Sequence, residues 1–164
     1  MSSPLRHHLG AAKRMPKYVS RTLDHGIWYE ATEALSLIGY SDSEWAGSLE
    51  DQRSTTGNVF MLGTGPISWC SKKQSVTALS TTEAEYLAAT SATYQVVWLR
   101  RLLDDIGVIQ SNPTPIFCDN ISTIAIAKNP NHNGRTKHIV IKFHYIRELI
   151  VGGEITLQRC ITVE

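Results

Sequence analysis

Apolar positions along the chain follow two periods. Between residues 35 and 70 they come in short runs of strand length, broken by glycine, serine and proline. Residues 35–42, 57–62 and 67–70 read as three strands, with a polar loop at 43–53 and a turn at 63–66. Such closely connected strands predict an antiparallel meander. From residue 80 to 106 the period becomes helical. Counting about 100° per residue from Glu85 puts Ala88, Ala89, Ala92, Val96, Leu99 and Leu103 on the same face. Ser80-Thr81-Thr82-Glu83 fits a capping box at the start of that helix, and Gly107 closes it.

Further on, residues 114–119 read as a fourth strand, 121–128 as a short helix and 129–134 as a loop. Ile139, Phe143, Ile146 and Ile150 mark another helix that Gly152 and Gly153 end, and residues 154–161 alternate like a last strand. The order of three strands, helix, strand, two helices and strand predicts a mixed α/β sheet. Ahead of it, residues 9–22 have helical spacing, but Pro16 predicts a kink or split there. Asp24-His25-Gly26 reads as a turn and Ile27-Trp28-Tyr29 as a short strand-like piece. Residues 1–34, rich in Arg, Lys and His, read as a connector, and residues 35–164 as the folded domain.

Composition narrows the classes. The 164 residues are enough for one domain with a core, and 42% hydrophobic with 19% charged residues fits a globular chain. A net charge of +1 gives no global attraction to a polyanion, so such a partner must be held by a local basic patch or a metal. Three cysteines without CxxC spacing argue against a disulfide framework and a structural zinc. No apolar run is long enough to predict a membrane span, and no apolar signal core predicts secretion.

Three acids carry the chemistry. Asp42 and Asp119 end apolar strands, and Glu85 opens the core-facing stripe of the long helix. Carboxylates in such places are costly unless they share a cation or a proton. If the first and fourth strands are parallel neighbours, their ends converge and Glu85 comes in from above. Hard oxygen ligands suit Mg²⁺ or Mn²⁺. Simpler roles exist: Asp42 as a turn cap, Asp119 as a helix cap. Glu83 lies about 200° from Glu85 and is explained by the capping box. Lys72, Lys73 and Gln74 follow a strand, and Arg135 and Lys137 lie in the densest basic run; both groups suit a phosphate backbone or a solvated surface. His132, His138 and His144 are spread around a helix and predict no histidine metal site.

Read together, several segments resemble the ribonuclease H region of copia-type long-terminal-repeat retrotransposon polyproteins. They are Gly39-Tyr-Ser-Asp-Ser-Glu-Trp-Ala-Gly47, Arg53-Ser-Thr-Thr-Gly57, Ile67-Ser-Trp-Cys-Ser-Lys-Lys-Gln74, Ser80-Thr-Thr-Glu-Ala-Glu-Tyr86, Cys118-Asp-Asn120, Arg135-Thr-Lys-His-Ile139 and His144-Tyr-Ile-Arg-Glu148. The resemblance implies a ribonuclease H-like five-stranded mixed sheet, an antiparallel meander plus parallel strands, with helices on its faces. It implies cleavage of the RNA strand of an RNA–DNA hybrid by two-metal chemistry, with Asp42, Glu85 and Asp119 as ligands of two Mg²⁺ or Mn²⁺ ions. Candidate contacts to nucleic acid are then Lys72, Lys73, Gln74, Asn120, Arg135 and Lys137. Partners would be the hybrid and the reverse transcriptase and integrase portions of the polyprotein, inside the cell in the cytoplasm or in virus-like particles. Residues 1–34 resemble the connection that follows the reverse transcriptase. The family's fourth carboxylate and last helix fall beyond Glu164, so the expected alternative is a catalytically impaired remnant that at most binds nucleic acid.

Overall fold

Alternation along one central strand sets the architecture. In the computed structural model, which describes residues 5–32, 35–48, 51–128 and 137–160 (backbone alone for 137–143), strand β1 spans Leu37–Glu44. Its Leu37, Gly39 and Ser41 are buried, whereas Tyr40 and Asp42 face solvent. β2 (Thr55–Leu62) and β3 (Gly65–Lys73) extend the meander antiparallel, with Asp42 opposite Gly57 and Gly57 opposite Ser71. β4 (Thr114–Cys118) lies parallel to β1, and β5 (Ile155–Arg159) parallel to β4. The sheet order is β3-β2-β1-β4-β5.

Helix α2 (Thr81–Asp105) buries Glu85, Ala88, Ala89, Ala92, Val96, Leu99 and Leu103, the stripe expected from its period, together with Ala84. α3 (Ile121–Lys128) and α4 (Lys137–Val151) join it, and Ile126, Ala127, Ile146 and Leu149 share one core with Leu37, Phe60, Ile116, Ile155 and Leu157. These helices therefore cover one face of the sheet. Across the other face runs a row of side chains from neighbouring strands: Trp69, Val59, Tyr40 and Phe117, the last two stacked with ring centroids 5.3 Å apart. Gly39 is needed because Phe60 lies beneath it. A Cβ at residue 39 would meet the Phe60 ring at 3.1 Å.

Two sequence expectations are corrected. Helix α1 (Arg6–Arg21) runs through Pro16 without splitting. Proline removes the hydrogen bond to the carbonyl four residues back, but α1 buries no residue, so water can take up the Ala12 carbonyl. Residues 27–29 form no strand. Instead the Tyr29 hydroxyl donates to the Pro66 carbonyl, and the Glu30 N–H donates to Thr64 Oγ1 at 3.0 Å, tying this segment to the β2–β3 turn. The loop expected at 129–134 lies outside the described residues. Among the described residues no helix is long and apolar enough to cross a membrane.

Candidate metal centre

Because β1 and β4 run parallel, with Gly39 beside Ile116 and Tyr40 beside Phe117, both strands deliver their C-terminal ends to one edge of the sheet. Asp42 lies near that end of β1 and Asp119 directly after β4. Glu85, in the second turn of α2, faces the sheet and is 6% exposed. One oxygen from each of the three carboxylates lies within 4.8 Å of the others. Asp42 and Asp119 are open to solvent, so the group has a wet side and a buried side.

The surrounding structure fixes the first turns of α2 in several ways. Ser80 caps the helix by accepting the Glu83 N–H at 3.2 Å. Glu83 reaches back to the Leu79 N–H at 2.9 Å, one residue earlier than the ideal capping box. Thr123 Oγ1 donates to the Thr82 carbonyl at 3.3 Å, joining α3 to α2. Asn120, not Asp119, caps α3: its Oδ1 accepts the Thr123 N–H at 3.0 Å. Asp119 is thereby released from the capping role that sequence alone left open.

Ser43 holds Glu85 directly. Its N–H and its Oγ donate to Glu85 Oε1 at 3.1 and 2.9 Å, and the same N–H lies 2.8 Å from Asp42 Oδ1. Glu85 Oε2 is buried with no hydrogen-bond partner. Burial is the main reason the Glu85 carboxyl is pushed up to about 7; the Ser43 hydroxyl opposes the rise, and the charges of Asp119 and Asp42 add to it. An ionised, buried oxygen without a donor needs a cation beside it. Three carboxylates supply hard oxygen ligands, so this donor set fits a divalent ion such as Mg²⁺ or Mn²⁺. The neighbouring Cys118 thiol is buried and held up at about 12, chiefly by burial, and so is inert.

The other expected site residues separate. Lys72 and Lys73 are exposed on β3, and the register Ser43–Thr56–Lys72 puts Lys72 two strands from the site, about 10 Å away. Lys73 pairs with Asp51 at 2.9 Å. Gln74 is corrected: it is only 8% exposed, and its amide nitrogen donates to Thr56 Oγ1 and to the Ala84 carbonyl, both at 3.0 Å. It braces α2 beside Glu85 instead of facing a ligand. Asn120 has its side-chain oxygen committed to the α3 cap. Arg135 and His132 lie outside the described residues, as do the side chains of Lys137 and His138. Ser43 is the residue the sequence reading missed. Its signal was available: Leu37, Gly39, Ser41 and Ser43 share one strand parity, hidden once residues 43–53 were read as a loop.

The fold itself belongs to a known class. LC11-RNase H1, solved in complex with an RNA/DNA hybrid, superposes with a TM-score of 0.53 at 13% identity, over 76% of this chain and 85% of that one. The sheet order and helices define a ribonuclease H-like fold. No protein-family model matches the chain. The Retrovirus-related Pol polyprotein from transposon RE2 of Arabidopsis thaliana is 40% identical over 153 residues, covering 93% of this chain and 10% of that polyprotein. Secreted RxLR effector protein 161 of Plasmopara viticola is 45% identical over 98 residues, 60% of this chain and 69% of that protein. The chain is homologous to a part of the retrovirus-related Pol polyproteins of transposons, and it spans about a tenth of the length of the polyprotein relatives it matches.

Proposed function

We propose that this chain is the ribonuclease H portion of a transposon Pol polyprotein and hydrolyses the RNA strand of an RNA–DNA hybrid. The observation that carries the reading is the approach of Asp42, Glu85 and Asp119 to within 4.8 Å at the edge of a ribonuclease H-like sheet. Asp42, Glu85 and Asp119 would hold two Mg²⁺ or Mn²⁺ ions. When bound, such ions offset the negative charge that develops on a phosphodiester under attack and favour ionisation of the attacking water.

The chain's own residues do the positioning. Asp42 and Asp119 stand on the solvent side, where a backbone phosphate can reach them. Ser43 fixes Glu85 from below through two hydrogen bonds, so this carboxylate does not follow its neighbours into solvent. Lys72, exposed at the same end of the sheet, contributes charge toward a strand leaving the site. RNA is distinguished from DNA by its 2′-hydroxyl, which only one strand of the hybrid carries. The LC11-RNase H1 neighbour was solved with an RNA/DNA hybrid, which supports this substrate class. The polyprotein relatives support action alongside reverse transcriptase and integrase portions; residues 1–34 would be the connection that follows the reverse transcriptase.

The test is cleavage of an end-labelled RNA strand annealed to DNA. The purified chain with Mg²⁺ or Mn²⁺ is expected to cut the RNA, to stop on adding EDTA, and to lose about a hundredfold or more of its rate in Asp42→Asn. Absence of cleavage by the wild-type chain, or equal cleavage by Asp42→Asn, overturns the reading. Binding of the hybrid without cleavage is the signature of an impaired remnant.

A further inference from the structure

Charge is divided unevenly along this chain. Helix α1 carries Arg6, Lys13, Arg14, Lys17 and Arg21 and not one acid. It thus holds five of the sixteen lysines and arginines and none of the fifteen acids, leaving eleven cations against fifteen acids in the rest, a net charge of −4. Three of those acids, Asp24, Glu30 and Glu33, lie in the connector, so residues 35–164 are nearly neutral, with eleven cations against twelve acids, and α1 is the one strongly cationic element among the helices and strands described.

The five cations are also ordered. At about 100° per residue they fall within an arc of about 100° on one side of the helix. Lys13, Lys17 and Arg21 follow each other at intervals of four residues, about 6 Å apart along the axis. Like charges at this spacing weaken a helix by a few tenths of a kcal/mol per pair. Among the described residues no ion pair relieves them, since the ion pairs there join Asp51 to Arg53 and Lys73. No residue of α1 is buried, so the row has no role in the chain's own packing.

We propose that α1 is a binding element for a nucleic-acid backbone and supplies the attraction that the nearly neutral domain lacks. This inference rests on the nuclease reading for its choice of polyanion. A duplex carries about one negative charge per 1.7 Å of its axis, both strands counted, so the roughly 24 Å length of α1 runs beside a stretch with about fourteen phosphates, of which only those on the near side face it. The tether of Tyr29 and Glu30 to the β2–β3 turn anchors the following segment at the sheet end opposite Asp42. Five residues of β1 separate those ends, about 17 Å, well within one turn of duplex. The seven residues between α1 and Tyr29 add at most about 25 Å of reach, so a duplex of about two turns is long enough to engage both the carboxylates and α1. An anionic membrane surface has the same sign of charge and would also take up the exposed Leu9, Met15 and Val19 on the other side of the helix. Nucleic acid is favoured because the same chain builds a carboxylate group suited to phosphodiester chemistry.

The experiment is fluorescence anisotropy of a labelled RNA–DNA hybrid titrated with the full chain in EDTA, between 50 and 300 mM salt. It compares wild type with Lys13→Gln/Arg14→Gln/Lys17→Gln, and both are melted as a control. The slope of log affinity against log salt is expected to fall by about 2 to 3 in the triple variant, with no change in melting temperature. An unchanged slope, no binding by wild type, or binding to phosphatidylcholine–phosphatidylserine vesicles in place of the hybrid overturns the proposal. An unchanged slope with cleavage intact sinks this proposal and spares the nuclease reading; a reduced slope without cleavage does the reverse.

Discussion

Ser43 and Glu85 meet across the end of β1: the serine N–H and hydroxyl both donate to Oε1, at 3.1 and 2.9 Å, while Oε2 stays buried without a partner. One oxygen is thus satisfied by the protein, and the other is left for something the protein does not provide.

Ser43→Ala removes the side-chain donor and keeps the backbone one. Losing a hydrogen bond to a charged group costs about 1.5–3 kcal/mol, so divalent-ion affinity is expected to fall about tenfold or more. Ser43→Thr keeps the hydroxyl and should retain most of it. Titration calorimetry with Mn²⁺ on the three proteins reads this directly; equal affinity in Ser43→Ala would remove Ser43 from the site.

Stability without divalent ions should fall as pH rises. The Glu85 carboxyl lies at about 7 in the folded chain against 4.5 as its ordinary value, so between these values the folded state binds more protons than the unfolded one. Stability from this group is complete below about pH 4.5 and is lost on the way to pH 7, amounting to at most about 3 kcal/mol. Urea melts in EDTA at pH 5 and pH 8 should show the loss, and Glu85→Gln should abolish this contribution. A Glu85→Gln chain with an unchanged pH profile would contradict it.

Gln74 is expected to behave as a brace. Gln74→Leu leaves the Ala84 carbonyl and the Thr56 hydroxyl without this donor, at a cost of about 1–3 kcal/mol in a urea melt. The affinity for nucleic acid at fixed salt should stay unchanged. A reduced affinity with unaltered stability would restore Gln74 to the surface role first expected for it.

Phe60 is fully buried beneath Gly39, in the core that α2 packs against. Phe60→Ala should cost about 3–5 kcal/mol by opening a cavity there. Chemical denaturation measures it, and a loss below about 1 kcal/mol would mean that the core collapses around the gap.

Much of this was legible in the sequence because it follows from period. The long helix, its Ser80 cap and the inward face of Glu85 follow from 3.6-residue spacing, and Asp119 from its place after an apolar run. The failures share a different cause. Pro16 predicts a break only where the lost hydrogen bond cannot be replaced, and sequence did not reveal that α1 is solvated all round. Gln74 looks like a surface amide because the groups that bury it, Thr56 and Ala84, are supplied by β2 and α2. Asp119 and Asn120 are adjacent and equally good caps by type, so only geometry could assign the cap to Asn120. Ser43 was lost because β1 continues to Glu44, two residues beyond the expected strand end.

The central claim is that Asp42, Glu85 and Asp119 act together as one divalent-cation site. Calorimetric titration of Mn²⁺ into the wild-type chain and into Glu85→Gln at pH 7 tests it most directly. The account predicts binding by wild type with release of protons, since part of Glu85 must ionise, and loss of that binding in Glu85→Gln. Binding of equal strength in both proteins, or no binding by the wild type at millimolar Mn²⁺, would contradict it.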